Sequence, residues 1–341
     1  MKITILGSGS WGMALAWVLS QKTDSTLPQI SLWGRNQDLM NKIEATRSHP
    51  TFTPKQRLGD TVSATSSLEE ALKESDIVLF AVPSRGMREV AQKASSYIRP
   101  ETFIVSCVKG FEDLTYKRIS QILEEELEPL NPKIAVLTGP NHAEEVILGE
   151  PAATLIASKN LEAAQQIQDC LAAPSLRIYT SEDLIGAELG GALKNVIALA
   201  VGIASGLGLG DNAKAALMTR GLAEIARLGV AMGAHPMTFT GLSGVGDLIA
   251  TCTSEHSRNF RAGRLFAKGK KRSEVELEIG MVVEGIRATE AAIALAEQYN
   301  ISVPIAKQLH QVITESKSPM SALEELMSRN MNHELEKYYT S

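Results

Sequence analysis

The hydrophobic pattern divides this chain into two parts that are expected to fold differently. Up to residue 180, short apolar runs alternate with stretches of helical spacing, starting with a run over residues 2–7. Such runs are typical of strands buried in a parallel sheet. After residue 180 the spacing is helical, with glycine-rich joints. The pattern predicts an α/β domain over residues 1–180 and an all-α domain over residues 181–341.

The apolar runs of the first part predict the strands of one open α/β sheet. Ligands of such sheets gather where the strands end. Pro83, Lys109 and Gly139 lie at the ends of predicted strands. Lys109 is therefore a candidate ligand-binding cation, with a solvated loop lysine as the alternative. The predicted strands cover residues 2–7, 30–33, 76–83, 103–108, 134–137, 152–158 and 176–179.

A glycine-rich turn joins the first predicted strand to the first predicted helix. Gly7, Gly9 and Gly12 form a GxGxxG pattern there. The first glycine permits a tight turn, the second lets the backbone approach a pyrophosphate, and the third allows close packing of helix and strand. Because the helix N-terminus then faces the phosphates, the pattern predicts a dinucleotide site. A glycine turn without a ligand is the alternative.

The end of the second predicted strand indicates which dinucleotide is used. A site selective for NAD usually places an acidic residue there, on the ribose hydroxyls. This chain has Gly34 and Arg35 instead. Because an arginine can pair with a 2′-phosphate, we expect a preference for NADP(H), with use of NAD(H) left open. In the alternative, Arg35 stacks on adenine or faces solvent.

One predicted helix of the second part is apolar on most sides. The stretch over residues 189–210 carries a single charge, Lys194, which Asn195 follows. Such a helix is buried, and a lone ammonium there is costly unless it is paired, reaches water or serves chemistry. A structural lysine and a functional amine are nearly equal alternatives. A membrane span is disfavoured because polar residues and glycines interrupt the stretch and basic flanks are missing.

Two further stretches of the second part gather polar groups. Asp247 lies among glycines within residues 241–253. Ser257, Arg258 and Asn259 follow at a predicted helix start. A hydroxyl, a guanidinium, an amide and free backbone N–H groups can together hold a phosphate. A helix N-cap followed by an exposed arginine is the alternative.

Composition narrows the function classes. The formal net charge is −5, which gives no support to nucleic-acid binding. The three cysteines are scattered without a CxxC pattern, which fits a reduced cytoplasmic protein better than a disulfide framework or a zinc site. The histidines form no HxxxH pattern, so we expect no metal. No signal peptide is apparent, and we expect no membrane insertion.

Ten motifs occur in order along nearly the whole chain. Together they resemble the NAD(P)-dependent glycerol-3-phosphate dehydrogenase family in its bacterial form. Single motifs are shared with related dehydrogenases, whereas the combination of KN, GDLIATC and SRN is highly specific to this family. The motifs are GSGSWGMALA, LWGR, VPS, KGFE, GPNHAEE, ELGGALKNVIA, GLGDNAKAALMTRGLAE, GVGDLIATC, SRN and VVEG.

The resemblance implies a fold, an activity and a cellular setting. The fold is a doubly wound N-terminal Rossmann domain with a mostly parallel sheet, followed by a helical substrate domain. The activity is the reversible reduction of dihydroxyacetone phosphate, a small phosphorylated three-carbon substrate, to sn-glycerol 3-phosphate with NAD(P)H. This reaction feeds glycerophospholipid synthesis. The implied setting is the cytoplasm, commonly as a homodimer.

The resemblance also implies roles for residues at matching positions. Lys194 is similar to the general acid/base, Lys109 to the second active-site lysine, and Asp247 to a group at the reacting centre, so these three are the predicted catalytic residues. The positions that match substrate contacts are Lys109, Gly139, Asn141, Lys194, Asn195, Asp247, Thr251, Ser257, Arg258 and Asn259. The positions that match cofactor contacts are Gly7, Gly9, Ser10, Trp11, Gly12, Arg35, Pro83, Lys109, Ala143, Arg258, Val282 and Glu284.

The chain departs from the family pattern after the predicted strand at 134–137. The family usually has GPSFA or GPTFA, whereas this chain has GPNHA over residues 139–143. The Asn141 amide replaces a hydroxyl and can still hydrogen-bond. His142 replaces an aromatic residue and is interpreted as a packing residue. Met13 replaces a common threonine outside the glycines that contact phosphate.

Two competing functions use the same sequence features differently. A related dehydrogenase acting on a hydroxy acid or a sugar nucleotide would need a different anchor from residues 257–259, which suit phosphate. A non-catalytic NADP(H)-binding regulator predicts a lost lysine or a blocked pocket. Lys109, Lys194 and Asp247 are all present, which disfavours the regulator.

Overall fold

The computed structural model describes residues 1–22 and 27–329. The chain divides into two compact units, Met1–Leu184 and Ile185–Ser341. The predicted domain boundary, between residues 180 and 181, falls inside the last strand of the first unit. Residues 330–341 of the predicted second domain lie outside the described residues.

The first unit is built on one sheet. Its strands, in chain order, are β1 (Lys2–Leu6), β2 (Gln29–Trp33), β3 (Val62–Thr65), β4 (Ile77–Phe80), β5 (Phe103–Ser106), β6 (Lys133–Thr138), β7 (Ala152–Ala157) and β8 (Leu176–Ser181). Their order across the sheet is β3-β2-β1-β4-β5-β6-β7-β8. Neighbouring strands are parallel except β6 and β7, which are antiparallel. The predicted mostly parallel α/β sheet is confirmed.

β3 is the one strand of this sheet that the apolar runs did not predict. It lies at the sheet edge, and only Val62 of its four residues is buried. An edge strand contacts the core on one side only, so it lacks the continuous apolar run of the central strands.

Helices cover both faces of the sheet because neighbouring side chains on each strand point to opposite faces. Ile77 and Leu79 of β4 belong to one apolar cluster, and Val78 and Phe80 belong to the other. The helices described in this unit are α1 (Ser10–Ser20), α2 (Gln37–Thr46), α3 (Leu68–Leu72), α4 (Met87–Ser95), α5 (Ile119–Glu126), α6 (Ala143–Val146) and α7 (Leu161–Leu171). Residues of α1, α2 and α7 join the first cluster, and residues of α3, α4 and α5 join the second.

The second unit is helical throughout its described residues, as predicted. Its α-helices there are α8 (Leu184–Gly206), α9 (Asp211–Ala231), α10 (Asp247–Thr253), α11 (Arg258–Ala267), α12 (Arg272–Ile279), α13 (Glu284–Gln298), α14 (Pro304–Thr314) and α15 (Pro319–Met327). A 3-10 turn over Pro236–Thr240 and a π turn over Leu242–Gly246 precede α10.

Helix α8 lies in the interior of the second unit. By length and composition it could cross a membrane, but 89% of its most apolar window is buried inside the protein. Its glycines let other backbone segments approach closely. A Cβ on Gly202 would clash with Phe260 O of α11, and one on Gly263 would clash with Leu199 O of α8. The two helices therefore meet backbone to backbone.

Candidate active site

The glycine-rich turn between β1 and α1 is open to a ligand. Gly7 has a φ of +129°, which favours glycine, and a Cβ on Gly12 would clash with Gly7 O. Nothing lies within 4 Å of a Cβ built on Gly9. Helix α1 begins at Ser10 without a side-chain cap. Because uncapped N–H groups at a helix start attract phosphate, the turn fits the pyrophosphate of a dinucleotide.

The end of β2 carries a cation and no acid. Arg35 is exposed and has no hydrogen bond or ion pair with another described residue. The next residue, Asn36, caps α2 by accepting a hydrogen bond from Leu39 N at 2.9 Å. A guanidinium at this position attracts a 2′-phosphate, whereas an acid would repel it.

Lys109 follows β5 and reaches the loop that follows β6. Its Nζ donates to Gly139 O and to Asn141 Oδ1, each at 2.8 Å. The Asn141 amide nitrogen in turn donates to Thr154 Oγ1 of β7 at 3.1 Å. Thr154 donates its own hydroxyl proton to Thr138 O at 2.9 Å. The antiparallel strand β7 thus helps to fix the amide that holds Lys109.

The loop after Lys109 is anchored to two helices by Arg88 of α4. The Arg88 guanidinium donates to both carboxylate oxygens of Glu112, at 2.5 and 2.9 Å. It also bonds Glu125 and Glu126 of α5. The bonds from Arg88 hold the pKa of the Glu112 carboxyl below its usual value. A charged network therefore restrains the loop three residues after Lys109.

Other predicted cofactor residues of the first unit lie at strand ends and helix starts. Pro83 is exposed just after β4, and Ala143 is the first residue of α6.

Trp11 lies in the first turn of α1 beside Cys107. Burial raises the pKa of the Cys107 thiol to about 12, although Trp11 and Lys109 lower it. The thiol is therefore protonated at neutral pH and is a poor nucleophile.

In the second unit, Lys194 is buried on α8 with an acid as its partner. Its side chain is 6% exposed and forms an ion pair with Asp247, which is 2% exposed. Nζ also donates to Thr251 Oγ1 at 2.6 Å. Because Asp247 and Thr251 are four residues apart on α10, they lie on one helix face. Of the alternatives left open for the lone charge, the structure shows a pair, and pairing alone is compatible with both a structural and a catalytic lysine.

The Thr251 hydroxyl has a defined direction in this group. It donates its proton to Asp247 O at 2.6 Å, which is one helical turn back. Its oxygen therefore accepts from Lys194 Nζ and does not donate to it. The hydroxyl and the Asp247 carboxylate are thus both acceptors for the amine, and they fix the position of Nζ.

The predicted phosphate site at residues 257–259, called the phosphate cradle below, lies at the start of α11. Ser257 is the N-cap residue, and its Oγ accepts from Phe260 N at 3.2 Å. Arg258 is partly buried and donates to Val282 O at 3.1 Å. Val282 is 37% exposed, and Glu284 is the first residue of α13. The N-cap of the alternative is thus observed, whereas its arginine is partly buried and not exposed. The cap bonds Phe260 N and leaves the N–H groups of Arg258 and Asn259 available to a ligand.

Asn259 joins the cradle to α8. Its Nδ2 donates to Asn195 Oδ1, and its Oδ1 accepts from Gly285 N, both at 2.8 Å. Within the second unit the structure therefore brings together one group of predicted residues, namely Lys194, Asn195, Asp247, Thr251, Ser257, Arg258, Asn259, Val282 and Glu284. The other predicted residues all lie in the first unit.

Some residues that organise these groups were not predicted from the sequence. Thr154 and Gly285 hold site residues, yet they lie 13 and 26 residues from the side chains that they bond. Glu224 of α9 caps α14 by accepting from Ile305 N at 2.7 Å and Ala306 N at 3.4 Å. Burial raises the pKa of Glu224 to about 7. No local sequence signal indicates such distant partners.

Among the described residues, no group of three or more His, Cys, Asp and Glu side chains could hold a metal ion.

Comparison with known proteins adds independent evidence. Residues 2–164 match the family model for the NAD-dependent glycerol-3-phosphate dehydrogenase N-terminus, and residues 183–324 match the model for its C-terminus.

Curated relatives and a solved structure cover nearly the whole chain. The glycerol-3-phosphate dehydrogenase (NAD(P)+) of Bacillus subtilis is 47% identical over 98% of this chain and 96% of its own length. That of Desulfitobacterium hafniense is 49% identical over 98% of this chain and 93% of its own length. The crystal structure of glycerol-3-phosphate dehydrogenase from Coxiella burnetii superposes with a TM-score of 0.90 at 35% identity, covering 96% of this chain and 99% of that one. With both halves of the sequence and the fold in agreement, the chain belongs to the NAD-dependent glycerol-3-phosphate dehydrogenase family of oxidoreductases.

Proposed function

We propose that this protein catalyses the reversible, NAD(P)H-dependent reduction of dihydroxyacetone phosphate to sn-glycerol 3-phosphate, with Lys194 as general acid/base. The observation that carries the proposal is the buried group of Lys194, Asp247 and Thr251, in the same helical unit as Arg258. A buried ion pair contributes little to stability, since desolvation offsets its attraction. Proton transfer gives the pair a role that packing alone does not.

The chemistry of the proposed reaction matches the arrangement around Lys194. In the reducing direction the bound dinucleotide supplies a hydride to the ketone carbon, and negative charge develops on the ketone oxygen. The Lys194 ammonium stabilises this charge and donates a proton to the oxygen. In the oxidising direction the neutral amine accepts that proton. Asp247 favours the ammonium form, and together with Thr251 it holds Nζ in place.

The substrate phosphate is proposed to bind at residues 257–259. Arg258 offers a planar, permanently charged fork that suits a phosphate better than a lysine would. The N–H groups at the start of α11 add a favourable helix dipole. Lys109, Gly139 and Asn141 are proposed as further substrate contacts supplied by the first unit, with Lys109 as the second catalytic lysine.

The dinucleotide is proposed to bind the glycine-rich turn, with NADP(H) preferred over NAD(H). The open backbone at Gly9 and the uncapped start of α1 suit the pyrophosphate. Arg35 suits a 2′-phosphate. The remaining proposed contacts are Gly7, Ser10, Trp11, Gly12, Pro83, Lys109, Ala143, Arg258, Val282 and Glu284.

The proposed cellular role is glycerophospholipid synthesis in the cytoplasm. We further propose that the protein acts as a homodimer, without a metal, membrane insertion or nucleic acid. The net charge of −5 and the absence of a described metal cluster are compatible with this proposal. Light scattering of the purified protein tests the dimer directly.

One assay tests substrate class and cofactor preference together. NADPH oxidation is followed with dihydroxyacetone phosphate, then with unphosphorylated dihydroxyacetone, and both series are repeated with NADH. We expect turnover with the phosphorylated ketone, at least about 100-fold lower kcat/KM without the phosphate, and a lower KM for NADPH than for NADH. Equal rates with both ketones would refute the phosphate cradle. A lower KM for NADH would refute the NADP(H) preference.

A further inference from the structure

Helix α8 contacts the backbone of the π turn that precedes α10. In this turn Gly246 N donates to Gly241 O at 3.1 Å, five residues back. A Cβ built on Gly190 of α8 would clash with Ser243 O and would lie 3.0 Å from Ser243 C. Ser243 is 0% exposed, so the contact is sealed inside the second unit. Because residue 190 is a glycine, no side chain separates the two backbones.

This contact lies one turn before the proposed acid/base group on both elements. Lys194 follows Gly190 by four residues, and Asp247 follows Ser243 by four residues. Four residues of a helix advance by about 6 Å, or roughly one turn. The backbone contact and the ion pair of Lys194 with Asp247 are therefore neighbours, and the spacing of the first governs the spacing of the second.

The π turn is also held on its other side. A Cβ on Gly244 would clash with Phe239 O, and a Cβ on Gly229 of α9 would clash with the Phe239 ring. Phe239 is 1% exposed and lies in the 3-10 turn over Pro236–Thr240. The π turn is thus packed between α8 and a 3-10 turn that contacts α9. In such a close-packed interior a displacement at one contact is transmitted to the next.

A small residue near a functional lysine has two possible uses. It can leave room for a ligand, or it can let another part of the protein approach. At Gly190 the space is filled by the backbone of Ser243, so the second use applies. A π turn is a rare conformation that is found frequently at functional sites. The contact is therefore a feature of the acid/base group and not a ligand subsite.

Helix α10 presents two titratable side chains to the amine. One is Asp247, and the other is Cys252, whose thiol interacts electrostatically with both Lys194 and Asp247. Burial raises the pKa of the Cys252 thiol to about 12, so this group is uncharged at neutral pH. Asp247 is the charged one of the two, and its distance from the amine affects how tightly the amine holds its proton.

We propose that Gly190 is a positioning residue, which sets the separation of the Lys194 amine from the Asp247 carboxylate by letting the π turn pack directly against α8. The inference rests on the proposed function, in which Lys194 transfers the proton. A methyl group at position 190 would push Ser243 away by about 1 Å to reach ordinary contact distance, and Asp247 would move with it. A more distant carboxylate favours the ammonium less, so the amine would lose its proton at a lower pH.

The pH dependence of kcat/KM measures this separation. Gly190→Ala is compared with the wild type in the reduction of dihydroxyacetone phosphate by NADPH, which requires the ammonium. We expect the alkaline limb to move to lower pH by about one pH unit, kcat to fall about tenfold and KM to stay within about twofold. The position of the limb does not depend on how much of the variant folds. An unmoved limb would overturn the inference.

Gly202→Ala is the matched control on the same helix. A Cβ at this position would clash with Phe260 O of α11, so this variant also disturbs a backbone contact of α8. We expect a similar fall in Tm and a higher KM, because α11 carries the phosphate cradle, but an unmoved alkaline limb. An equal shift of the limb in both glycine variants would contradict the inference, because general loosening of α8 would explain it.

Phe239→Leu tests the same proposal if Gly190→Ala does not fold. The smaller side chain weakens the contact with Gly229 and leaves Gly190 unchanged, so the π turn gains freedom only on its far side. We expect the alkaline limb to move in the same direction by about half as much as for Gly190→Ala. A limb that stays in place would show that the π turn does not set the separation, and would overturn the inference.

A ligand-free measurement separates this inference from the proposed function. Hydrogen exchange of the Lys194 ammonium is followed by ¹⁵N NMR in slightly acidic buffer, with the Nζ signal assigned by its loss in Lys194→Ala. We expect exchange to be at least about tenfold faster in Gly190→Ala and unchanged in Gly202→Ala. Equal rates in all three proteins would overturn the inference even if the wild type reduces dihydroxyacetone phosphate. Absence of that reduction in the wild type would refute the proposed function and leave the exchange rates to decide the role of Gly190.

Discussion

The two predicted catalytic lysines lie in different units and in opposite environments. Lys194 is buried against the carboxylate of Asp247, whereas Lys109 is partly exposed and donates to the neutral oxygens of Gly139 and Asn141. A carboxylate stabilises the charged form of an amine, while neutral oxygens mainly orient it. The comparison shows how one residue type can serve as a held proton donor in one place and as an oriented cation in another.

The largest expected effect comes from removing each amine. Lys194→Ala should lower kcat by at least about 1,000-fold, because it removes the proton donor, with NADPH binding retained. Lys109→Ala should lower kcat/KM by about 100-fold. Steady-state kinetics and NADPH fluorescence titration measure both quantities. Lys307→Ala, at an exposed position on α14, is the matched control. Near-normal turnover of Lys194→Ala would remove the acid/base assignment.

The partners of the two lysines should differ in their contribution to stability. Asp247→Asn leaves the buried ammonium of Lys194 without its counter-charge, so the free energy of unfolding should fall by about 3 kcal/mol. Asn141→Ser exchanges the neutral amide acceptor of a partly exposed lysine for a shorter hydroxyl acceptor and should reduce that free energy by less than about 1 kcal/mol. Urea unfolding at pH 7 measures both. Equal losses would mean that burial does not distinguish the two environments.

Glu224 extends the comparison to a buried acid whose bonds come from neutral backbone N–H groups. Its folded-state pKa of about 7 lies above the ordinary 4.5, so the folded chain holds the proton more tightly than the unfolded chain. This contribution to stability is complete below about pH 4.5 and is lost as the pH rises through about 7. The loss amounts to about 3 kcal/mol.

Glu224→Gln should remove this pH dependence, since an amide of the same shape does not titrate. We expect the variant to gain stability relative to the wild type between pH 5 and pH 8, measured by urea unfolding. Glu162→Gln, at an exposed position on α7, serves as the control and should show no such change. An unchanged pH profile for Glu224→Gln would rule out the buried carboxyl as its source.

A small, salt-dependent effect is expected at the charged network that restrains the Lys109 loop. The Arg88 side chain is 34% exposed, so solvent and salt screen its pairs. Arg88→Gln should lower the free energy of unfolding by about 1 kcal/mol, and the difference should shrink in 0.5 M salt, which screens exposed pairs strongly. Lys93→Gln on the same helix breaks an exposed pair with Glu89 and is the control. A loss that is independent of salt would indicate packing rather than charge.

The sequence was sufficient for features whose cause is local. The GxGxxG turn, the apolar central strands and the lone charge in a buried helix each follow from a few neighbouring residues. Their partners follow from the tertiary fold instead. Thr154 reaches Asn141 only because β7 runs antiparallel to β6, and Glu224 caps a helix 81 residues away. No pattern along the chain encodes these distances.

The same limit applies to side-chain orientation. The family resemblance matched Asn195 to the reacting centre and Asn259 to the phosphate site, but it does not show that the two amides bond each other. The Gly285 N–H accounts for the direction of that bond, because it faces the Asn259 oxygen and leaves the Asn259 nitrogen for Asn195. It also left the role of Ser257 open between ligand and cap, and the structure shows the cap. Hydrogen-bond direction depends on partners from three helices, and periodicity along one helix carries no information about it.

The backbone contact of α8 with α11 has a consequence for substrate length. Lys194 lies about two turns before Gly202 on α8, and Arg258 about one and a half turns before Gly263 on α11. Because the two helices touch at Gly202 and Gly263, the packing there influences the distance between the Lys194 amine and the Arg258 guanidinium. A methyl group added at either glycine would change that span without touching the substrate. If the proposed sites for the carbonyl and the phosphate are right, these two glycines influence which substrate lengths fit, although neither is a proposed substrate contact.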